Sequence, residues 1–568
     1  MPGLYGILDM AKWATLTQQA NISVVSHNIS NVNTPGYSRQ KVLLGAAIPV
    51  ATEAGQMGTG VRTITVQREY DNFVGVQLNF ETQLLGNWKA LNYSFQRVEE
   101  IFNESSEYGL SSVMDEYWNA WQALADNPSG QAERAALVNI AETMSNDFNK
   151  MYNDFHTLQT NVNNSIKGTV DEINALTDQI VELNEKISRV EVSDDMANDF
   201  RDQRDGLMDE LAEKIGYDYL EDDLGQVSIF LENGNPLVQA RMKWELGVEF
   251  NTANNNFYDV SWDDGSGTLT AITDIITRGE LSGMIEMRDT IIPDYLAKVD
   301  RLAGGIINAT NQLHYYGYGL DGSTENNFFL PLSAATGVSE DNTGDGVITG
   351  GDVYDNTVLT LDDYEIRFTG GGAFEIYNIT DGTQVMDARI SGVEDNDGSF
   401  TYTSGDDIEF EGIRVVIADG TAGGPAGGDV FTVSSTGDAA KNMAVNPDIA
   451  EDVTKIAAAE GASGDDNVNA LAIAVLRDGN TMNNNTTSFS SYYSGLVGEV
   501  GVDVQGASRN LVYRETMVEQ LNTRKESVSG VNLDEEAVNL MRYQAAFTAA
   551  ARMITVVDEM IQELLQLT

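Results

Sequence analysis

The chain of 568 residues contains no cysteine, and this absence excludes several kinds of chemistry at once. Without a thiol there is no disulfide, no cysteine nucleophile and no cysteine-ligated zinc. Only three histidines occur, His27, His156 and His314, and none has a metal-ligand spacing such as HExxH. A GxSxG elbow, a phosphate-binding GxxxxGK loop and a GxGxxG turn after a strand are also missing. We therefore expect that the protein is not an enzyme and that it has no catalytic residues and no organic cofactor.

Basic residues are scarce, since 33 Lys and Arg stand against 87 Asp and Glu, for a net charge of -54. Such a negative field repels phosphate groups, so we expect no nucleic acid and no membrane surface among the partners. Two explanations of the acidity stay open: a saline habitat, whose ions screen self-repulsion over about 8 to 10 Å, and cation binding. No apolar run approaches the ~18 residues of a membrane span, and residues 1–6 lack the features of a secretory signal.

The hydrophobic pattern alternates between helical and strand-like spacing along the chain. Helical spacing covers residues 4–32, 86–216, 281–316, 449–476, 486–526 and 533–567, with turn formers at 103–109 and 126–130. Strand-like alternation covers 217–277 and 330–440. This order predicts a multidomain α+β fold: a discontinuous long-helix, coiled-coil-like rod built from the N- and C-terminal regions, with inserted β-rich domains.

We expect four domains, two of them discontinuous. Residues 1–40 and 528–568 form a terminal helical polymerisation domain, and residues 41–216 and 449–527 form a helical rod. Residues 217–329 form a small β domain with a following helix, and residues 330–448 form a Gly/Asp-rich β insert. A seam of six apolar residues in the rod favours a coiled coil or a long helix hairpin: Ile173, Leu176, Ile180, Leu183, Ile187 and Val190.

The final helix has the most regular pattern in the chain. Asn532 is a candidate cap, and acidic residues follow in the first turn, where they suit the helix dipole. A two-position heptad seam then runs along it: Leu540, Tyr543, Phe547, Ala550, Ile554, Val557, Ile561 and Leu564. The first helix is less regular and should end before a Pro35-Gly36 turn of type II. The two apolar faces either pair within one chain or are covered by neighbouring copies.

One loop in the second β region has the spacing of a calcium site. Oxygen donors fall at loop positions 1, 3, 5, 9 and 12, which are Asp341, Thr343, Asp345, Thr349 and Asp352, with Gly346 at the sixth position. The loop departs from the usual pattern because Thr343 replaces Asp or Asn and Asp352 replaces Glu. A solvated turn between strands is the alternative interpretation.

The segment at 25–40, VSHNISNVNTPGYSRQ, closely resembles the N-terminal signature of flagellar rod, hook and hook-associated proteins. Its TPGYSRQ ending is similar to the members that join hook to filament. The stretches at 68–73, 109–112, 117–122, 202–205, 529–537 and 543–547 resemble the same group. The resemblance covers 1–216 and 486–568 and is thinner in the β inserts.

The resemblance implies a structural subunit of the bacterial flagellum that joins hook to filament. Such a chain is exported without a cleavable signal by the flagellar type III apparatus, and it assembles outside the cell as a ring of about eleven copies. Its expected partners are the hook protein, the second junction protein and an export chaperone that holds the C-terminal helix. The assembly residues implied on the N-terminal side are Asn28, Asn31, Asn33, Pro35, Gly36 and Tyr37, and those on the C-terminal side are the eight seam residues of the final helix.

Other functions fit parts of the sequence. The hook or distal rod protein is the nearest rival, but its turn ending differs, and flagellins lack the Pro-Gly turn signature. A calcium-dependent surface adhesin carried by 330–448 is the alternative from another class. An acid–base hydrolase in the acidic β region has only composition in its favour.

Overall fold

The computed structural model describes residues 4–52, 55–103, 109–192, 195–252, 254–339, 341–370, 372–421, 423–462, 466–483 and 485–566. In chain order the α-helices are α1 Leu4–Ser30, α2 Asn72–Ile101, α3 Leu110–Asp126, α4 Gln131–Glu191, α5 Asn198–Lys214, α6 Glu280–Glu286, α7 Ile292–Tyr316, α8 Ala439–Asn442, α9 Pro447–Glu451, α10 Val468–Val475, α11 Phe489–Ser529 and α12 Leu533–Gln566.

The strands form two inserted groups and one short ribbon. In chain order they are β1 Gln40–Ala46, β2 Val50–Thr52, β3 Gly55–Met57, β4 Val61–Arg68, β5 Asp218–Glu221, β6 Val227–Phe230, β7 Pro236–Gln239, β8 Met242–Lys243, β9 Leu246–Asn251, β10 Phe257–Asp263, β11 Leu269–Ala271, β12 Ala335–Val338, β13 Gly346–Val353, β14 Asp363–Gly370, β15 Ala373–Asn378, β16 Thr383–Val385, β17 Ala388–Ile390, β18 Val393–Asp395, β19 Phe400–Thr401, β20 Asp407–Phe410, β21 Ile413–Asp419 and β22 Val430–Ser434.

Long helices build the rod. The 61 residues of α4 span roughly 90 Å at 1.5 Å per residue. Helix α11 runs antiparallel to α2, and Arg514 of α11 bonds Glu81 of α2 at 2.8 Å. Aromatic side chains cluster in the core of the rod, where the rings of Trp118 in α3 and Phe489 in α11 stack with centroids 5.6 Å apart. The predicted fold class, a helical rod from both ends of the chain with inserted β domains, is confirmed.

The first β group packs against the second half of α4. Its two sheets have the orders β5-β6-β7-β8 and β11-β10-β9. The apolar seam predicted on α4 lies here: Ile173 and Ile180 share a core with Leu211 of α5 and with Ile229 of β6. Buried Asn184 fixes the position of this β group on α4, because its amide nitrogen donates to the carbonyl oxygens of Val227 and Ala240. The seam therefore packs α4 against α5, as a helix hairpin, and against the β layer that covers them.

The second β group consists of two antiparallel sheets that share a core. One sheet has the order β12-β22-β14-β15-β16 with β19 beside β15, and the other has the order β13-β21-β20-β17-β18. Alternate residues point inward, as in β14, where Tyr364, Ile366 and Phe368 are buried. The strands predicted around 364–368 and 413–417 are present as β14 and β21.

One sequence prediction of local structure is wrong. The continuous helix expected over 449–476 is only α9, a short 3₁₀ turn and α10, joined by irregular chain. Side chains from distant parts of the sequence form hydrogen bonds with the backbone there. Buried Arg134 donates to the carbonyl oxygens of Val453 and Ile456, and the Ala457 amide donates to His314. Residues 40–46 and 61–68, which follow the turn after α1, pair as an antiparallel β ribbon. Of the break predicted at 103–109, residues 104–108 lie outside the described part of the chain.

Candidate assembly site

The two ends of the chain pack together as an antiparallel helix pair of α1 and α12. From α12, the seam contributes Ala550 and Val557, 6% and 4% exposed, while five other seam residues are half-buried and Leu564 is 53% exposed. The α1 face is smaller and more polar, with Ala11, Asn21 and Val25 buried. The predicted seam is therefore covered by α1 of the same chain, and it holds the pair together.

The turn after α1 has the predicted geometry. The Tyr37 amide donates to the Thr34 carbonyl at 3.2 Å, which makes Pro35 and Gly36 the two central residues. Gly36 has φ +75°, a conformation that glycine adopts without the strain of a side chain. Asn33, Pro35 and Gly36 are exposed, so these three predicted assembly residues lie on the surface of the turn.

Asn28 is the buried centre of this turn. Its side-chain oxygen accepts hydrogen bonds from the Tyr37 hydroxyl at 2.8 Å and from the Gln40 amide at 2.9 Å. Its amide nitrogen donates to the Gln40 carbonyl at 2.9 Å and to Glu536 of α12 at 3.4 Å. Asn31 has a local role, because its amide nitrogen donates back to the His27 carbonyl. The predicted residues Asn28 and Tyr37 thus fix the turn against α12 from inside the chain.

The start of α12 is tied to the same turn. Asn532 caps the helix as predicted, since its side-chain oxygen accepts from the amides of Asp534 and Glu535. The Arg39 guanidinium donates to Glu536 at 2.7 Å, and the Arg39 amide donates to the Ser529 carbonyl at 2.7 Å. The Glu536 side chain is only 2% exposed, so this ion pair is sheltered from water.

Helix α5 carries a row of carboxylates whose hydrogen bonds and ion pairs attach the turn and the ribbon to the rod. Asp202 accepts from the Ser38 amide at 2.8 Å and from Arg68 at 2.8 Å, and Asp205 pairs with Arg68 at 2.7 Å. Further along, Asp209 pairs with Lys525 of α11 at 3.2 Å. Burial raises the pKa of Asp202, and hydrogen bonds from Ser38 and Arg68 oppose that rise. Burial likewise raises the pKa of Asp209, against the charge of Lys525.

Sequence reasoning missed this row, although a signal for it was present. Asp199, Asp202, Asp205 and Asp209 recur at intervals of three and four residues, which places them on one helix face. Burial and the negative charges of Asp199 and Asp202 also raise the pKa of the Tyr37 hydroxyl, which keeps it a donor. The row acts as a socket that fixes the helix pair relative to the rod.

A second apolar stripe on α12 faces away from α1. Its large members are Val538, Met541, Met553, Val556 and Met560, between 48% and 62% exposed, with exposed Ala545 and Ala549 between them. The intervals of three and four residues align these positions on one face. On α1, Tyr5, Trp13 and Leu16 are also uncovered. A helix that is apolar on two faces and covered on one retains a surface for another molecule.

The structure separates the residues of the predicted calcium loop. Residues 346–353 form strand β13, which pairs with β21, and Asp352 makes a bidentate ion pair with Arg414 at 2.9 and 2.6 Å. The Asp429 carboxylate organises the turn before β13 by accepting from the amides of Thr343 and Gly344. Asp341, Asp345 and Thr349 lie on that turn and on the strand. Within the described ranges no group of three or more His, Cys, Asp or Glu is arranged to hold a metal ion. Calcium binding stays a prediction, which isothermal titration of the full chain tests.

No helix in the described part of the chain is long and apolar enough to span a bilayer. The three histidines lie apart: His27 approaches Asp199 at 3.4 Å, His156 lies exposed on α4, and His314 is fully buried. Burial lowers the pKa of His314 to about 4, so it is neutral and accepts from the Ala457 amide.

Three family models match the chain. Residues 95–329 match the model "Flagellar hook-associated protein FlgK helical domain". Residues 10–37 match "Flagella basal body rod protein", and residues 526–567 match "Flagellar basal body rod FlgEFG protein C-terminal". The two shorter matches coincide with α1 and its turn, and with the end of α11 and α12.

Curated relatives are similar over nearly the whole chain. Flagellar hook-associated protein 1 of Escherichia coli is 29% identical over 559 residues, covering 97% of each chain. The protein of the same name from Bacillus subtilis is 26% identical over 591 residues, covering 98% of this chain and 97% of the relative. None of these names states a catalytic activity.

A solved structure shares the fold. The flagellar hook junction protein FlgK from Burkholderia pseudomallei superposes with a TM-score of 0.67 at 18% identity, covering 80% of this chain and all of that one. At this identity the match concerns the architecture alone. The resemblance found in the sequence motifs therefore extends to most of the chain and to its fold.

Proposed function

Since the chain belongs to the flagellar rod, hook and hook-associated proteins, we propose that it is a structural subunit of the junction between hook and filament. One observation carries the proposal: α12 is apolar on two faces, and α1 covers only one of them. In a chain of net charge -54, an uncovered stripe of five large apolar residues is costly unless a neighbour buries it.

Assembly follows from the same geometry. Because the α1–α12 pair is already formed within one chain, neighbouring copies add by covering the uncovered stripe of α12 and the exposed Trp13 and Leu16 of α1. A contact between two different surfaces of identical chains repeats from copy to copy and closes into a ring when the rotation allows. A ring of about eleven copies is the expected assembly. Above and below it we place the hook protein and the second junction protein.

The socket on α5 gives the assembly its rigidity. Through Arg68, Asp202 and Asp205 the helix pair is fixed to the rod, so that torque reaching one end of the subunit is passed to the other. We also propose that the flagellar type III apparatus exports the chain and that an export chaperone binds α12. The uncovered stripe is the surface that such a chaperone would shield before assembly.

Deletion of the gene tests the role directly. Cells should keep their hooks and release filament subunits into the medium, and the full chain should restore attached filaments. A chain that lacks residues 1–40 or 530–568 should fold in its middle part and fail to restore them. Filaments attached in the deletion strain, or restored by either shortened chain, would refute the junction role.

A further inference from the structure

The uncovered stripe of α12 is rich in methionine. Three of its five large members are Met541, Met553 and Met560, and each of them is exposed. At 1.5 Å per residue, Met541 and Met560 are about 28 Å apart along the helix axis. The thioether side chains therefore extend over nearly the whole stripe. An unbranched thioether adapts its shape to a partner, so this composition suits a contact surface.

This concentration of exposed methionine is local. Four more methionines in the described part of the chain are exposed, and each lies on a different element or link: Met57, Met196, Met242 and Met386. The core of the rod buries other methionines almost completely: Met114, Met144, Met208 and Met287. Among the described elements, α12 alone carries several exposed methionines, and all three lie on the face that α1 leaves uncovered.

Exposed thioethers react with peroxides. A lone pair of the methionine sulfur attacks one peroxide oxygen, and the S–O bond forms as the O–O bond breaks. The proton on the transferred oxygen passes to the departing hydroxide, which leaves as water. The thioether is oxidised by two electrons to a sulfoxide, and the peroxide is reduced. Because the chain has no cysteine, no thiol competes for the oxidant, and exposed methionines react ahead of buried ones.

The sulfoxide changes what the stripe can bury. Its oxygen is a polar acceptor, and burying such a group without a donor is unfavourable. The stripe members between the methionines are Ala545, Ala549 and Val556, whose side chains have no donor to offer. The buried seam residues Ala550 and Val557 lie on the opposite face, against α1. Oxidation therefore alters the uncovered face and leaves the α1–α12 pair in place.

We propose that Met541, Met553 and Met560 are oxidation sites, and that their conversion to sulfoxides by a peroxide prevents a copy from assembling. The inference rests on the proposed function, because it takes the uncovered stripe as the surface through which copies join. It adds a chemical control of that surface. The reaction acts on a copy before assembly, since contact with a neighbour covers the same sulfur atoms.

Peptide mass spectrometry after treatment with hydrogen peroxide locates the sites. In the purified full-length chain, the three methionines of the stripe should form sulfoxide at least about tenfold faster than buried Met287. In isolated flagella they should react at least about tenfold more slowly than in the free chain, while exposed Met386 keeps its rate. Rates in the free chain equal to that of Met287 would overturn the assignment of the sites. Unchanged rates in flagella would show that no contact covers them and would overturn the proposed order of events.

Leucine variants connect the oxidation to assembly. The deletion strain receives the unmodified chain or a variant with Met541→Leu, Met553→Leu and Met560→Leu, which keeps an apolar side chain of similar volume at each site. With hydrogen peroxide in the medium, the unmodified chain should give at least about tenfold fewer filament-bearing cells, and the leucine variant should match its peroxide-free value. A control variant, Met242→Leu with Met386→Leu, should stay sensitive. Mass spectrometry of chain from the same cells measures the oxidation. An equal fall in all three strains would place the sensitive group elsewhere and overturn the inference.

Glutamine at the same positions imitates the polarity of the sulfoxide without an oxidant. The pair Met553→Gln and Met560→Gln should lower the fraction of filament-bearing cells by at least about tenfold, and the matching leucine pair should not. Met386→Gln, at a similarly exposed methionine, should leave that fraction unchanged. Thermal unfolding should stay the same in every variant because these side chains are exposed.

The outcomes separate the oxidation sites from the junction role. Filaments at the normal frequency with the glutamine pair, or an equal loss with the leucine pair, would contradict the inference and leave the junction role intact. If the unmodified chain restores no filaments in the absence of peroxide, the proposed function fails and the inference fails with it.

Discussion

Asn28→Ala should open the end of the α1–α12 pair without unfolding the rod. The substitution removes the partner of the Gln40 amide, the Gln40 carbonyl and the Tyr37 hydroxyl. Gln40 is 9% exposed, so its two backbone groups lose their hydrogen bonds where water does not replace them, whereas half-buried Tyr37 can turn to solvent. At about 1–3 kcal/mol for each of the two buried groups left without a partner, the loss is about 2–6 kcal/mol.

Hydrogen exchange of the full-length chain measures this loss locally. Amides of α1 and α12 should lose protection by roughly thirtyfold or more, since 1.4 kcal/mol corresponds to a factor of ten. Amides of α4 should keep theirs. Asn31→Ala is the matched control, because Asn31 makes only local bonds to His27 and Thr34. Equal effects of the two substitutions, or a loss of protection that extends to α4, would refute the central role of Asn28.

Three further predictions concern the socket, the turn and the rod. Arg68→Met removes the cation that Asp202 and Asp205 share and should lower the free energy of unfolding by about 3–5 kcal/mol in urea titrations, with a smaller loss for Arg68→Lys; equal losses would contradict a stabilising charge interaction between residue 68 and the two carboxylates. Gly36→Ala, at φ +75°, should destabilise the turn by about 1 kcal/mol, whereas Gly168→Ala within α4 should stabilise by about 1 kcal/mol; melting temperatures that shift in the same direction would contradict this. Burial raises the pKa of Asp300 to about 7 from 3.8, so its proton is bound more tightly in the folded state, and this contribution to stability is present below about pH 4 and lost as pH rises to 7. The loss is about 4 kcal/mol, and unfolding titrations of Asp300→Asn should lack this part of the pH dependence.

The fold class and the turn could be predicted because each depends on local patterns. Heptad spacing marks α12 whatever covers it, and Pro35-Gly36 fixes its own geometry. The irregular chain between α9 and α10 could not be predicted, because Arg134 and His314, more than 100 residues away, supply its hydrogen bonds. Helical spacing alone cannot show that distant side chains take the backbone groups.

The assembly role of the predicted residues stays a prediction. The motif indicated the turn and α12, but within the chain Asn28 and Tyr37 hold the turn, and the α12 seam is covered by α1. Sequence spacing shows that a face is apolar and does not show which neighbour covers it. The uncovered stripe is harder to recognise in the sequence than the seam, because its apolar positions are occupied by alanine and methionine as well as valine.

Neighbouring valines on α12 allow the most direct test of the account. Val556 is 48% exposed on the uncovered stripe, and Val557 is 4% exposed against α1. In cells whose only copy carries Val556→Asp, the fraction with attached filaments should fall to that of the deletion strain, while exchange protection of α12 in the purified chain stays unchanged. Val557→Asp should instead lower that protection. Filaments that stay attached with Val556→Asp would contradict the claim that the uncovered face of α12 assembles the junction.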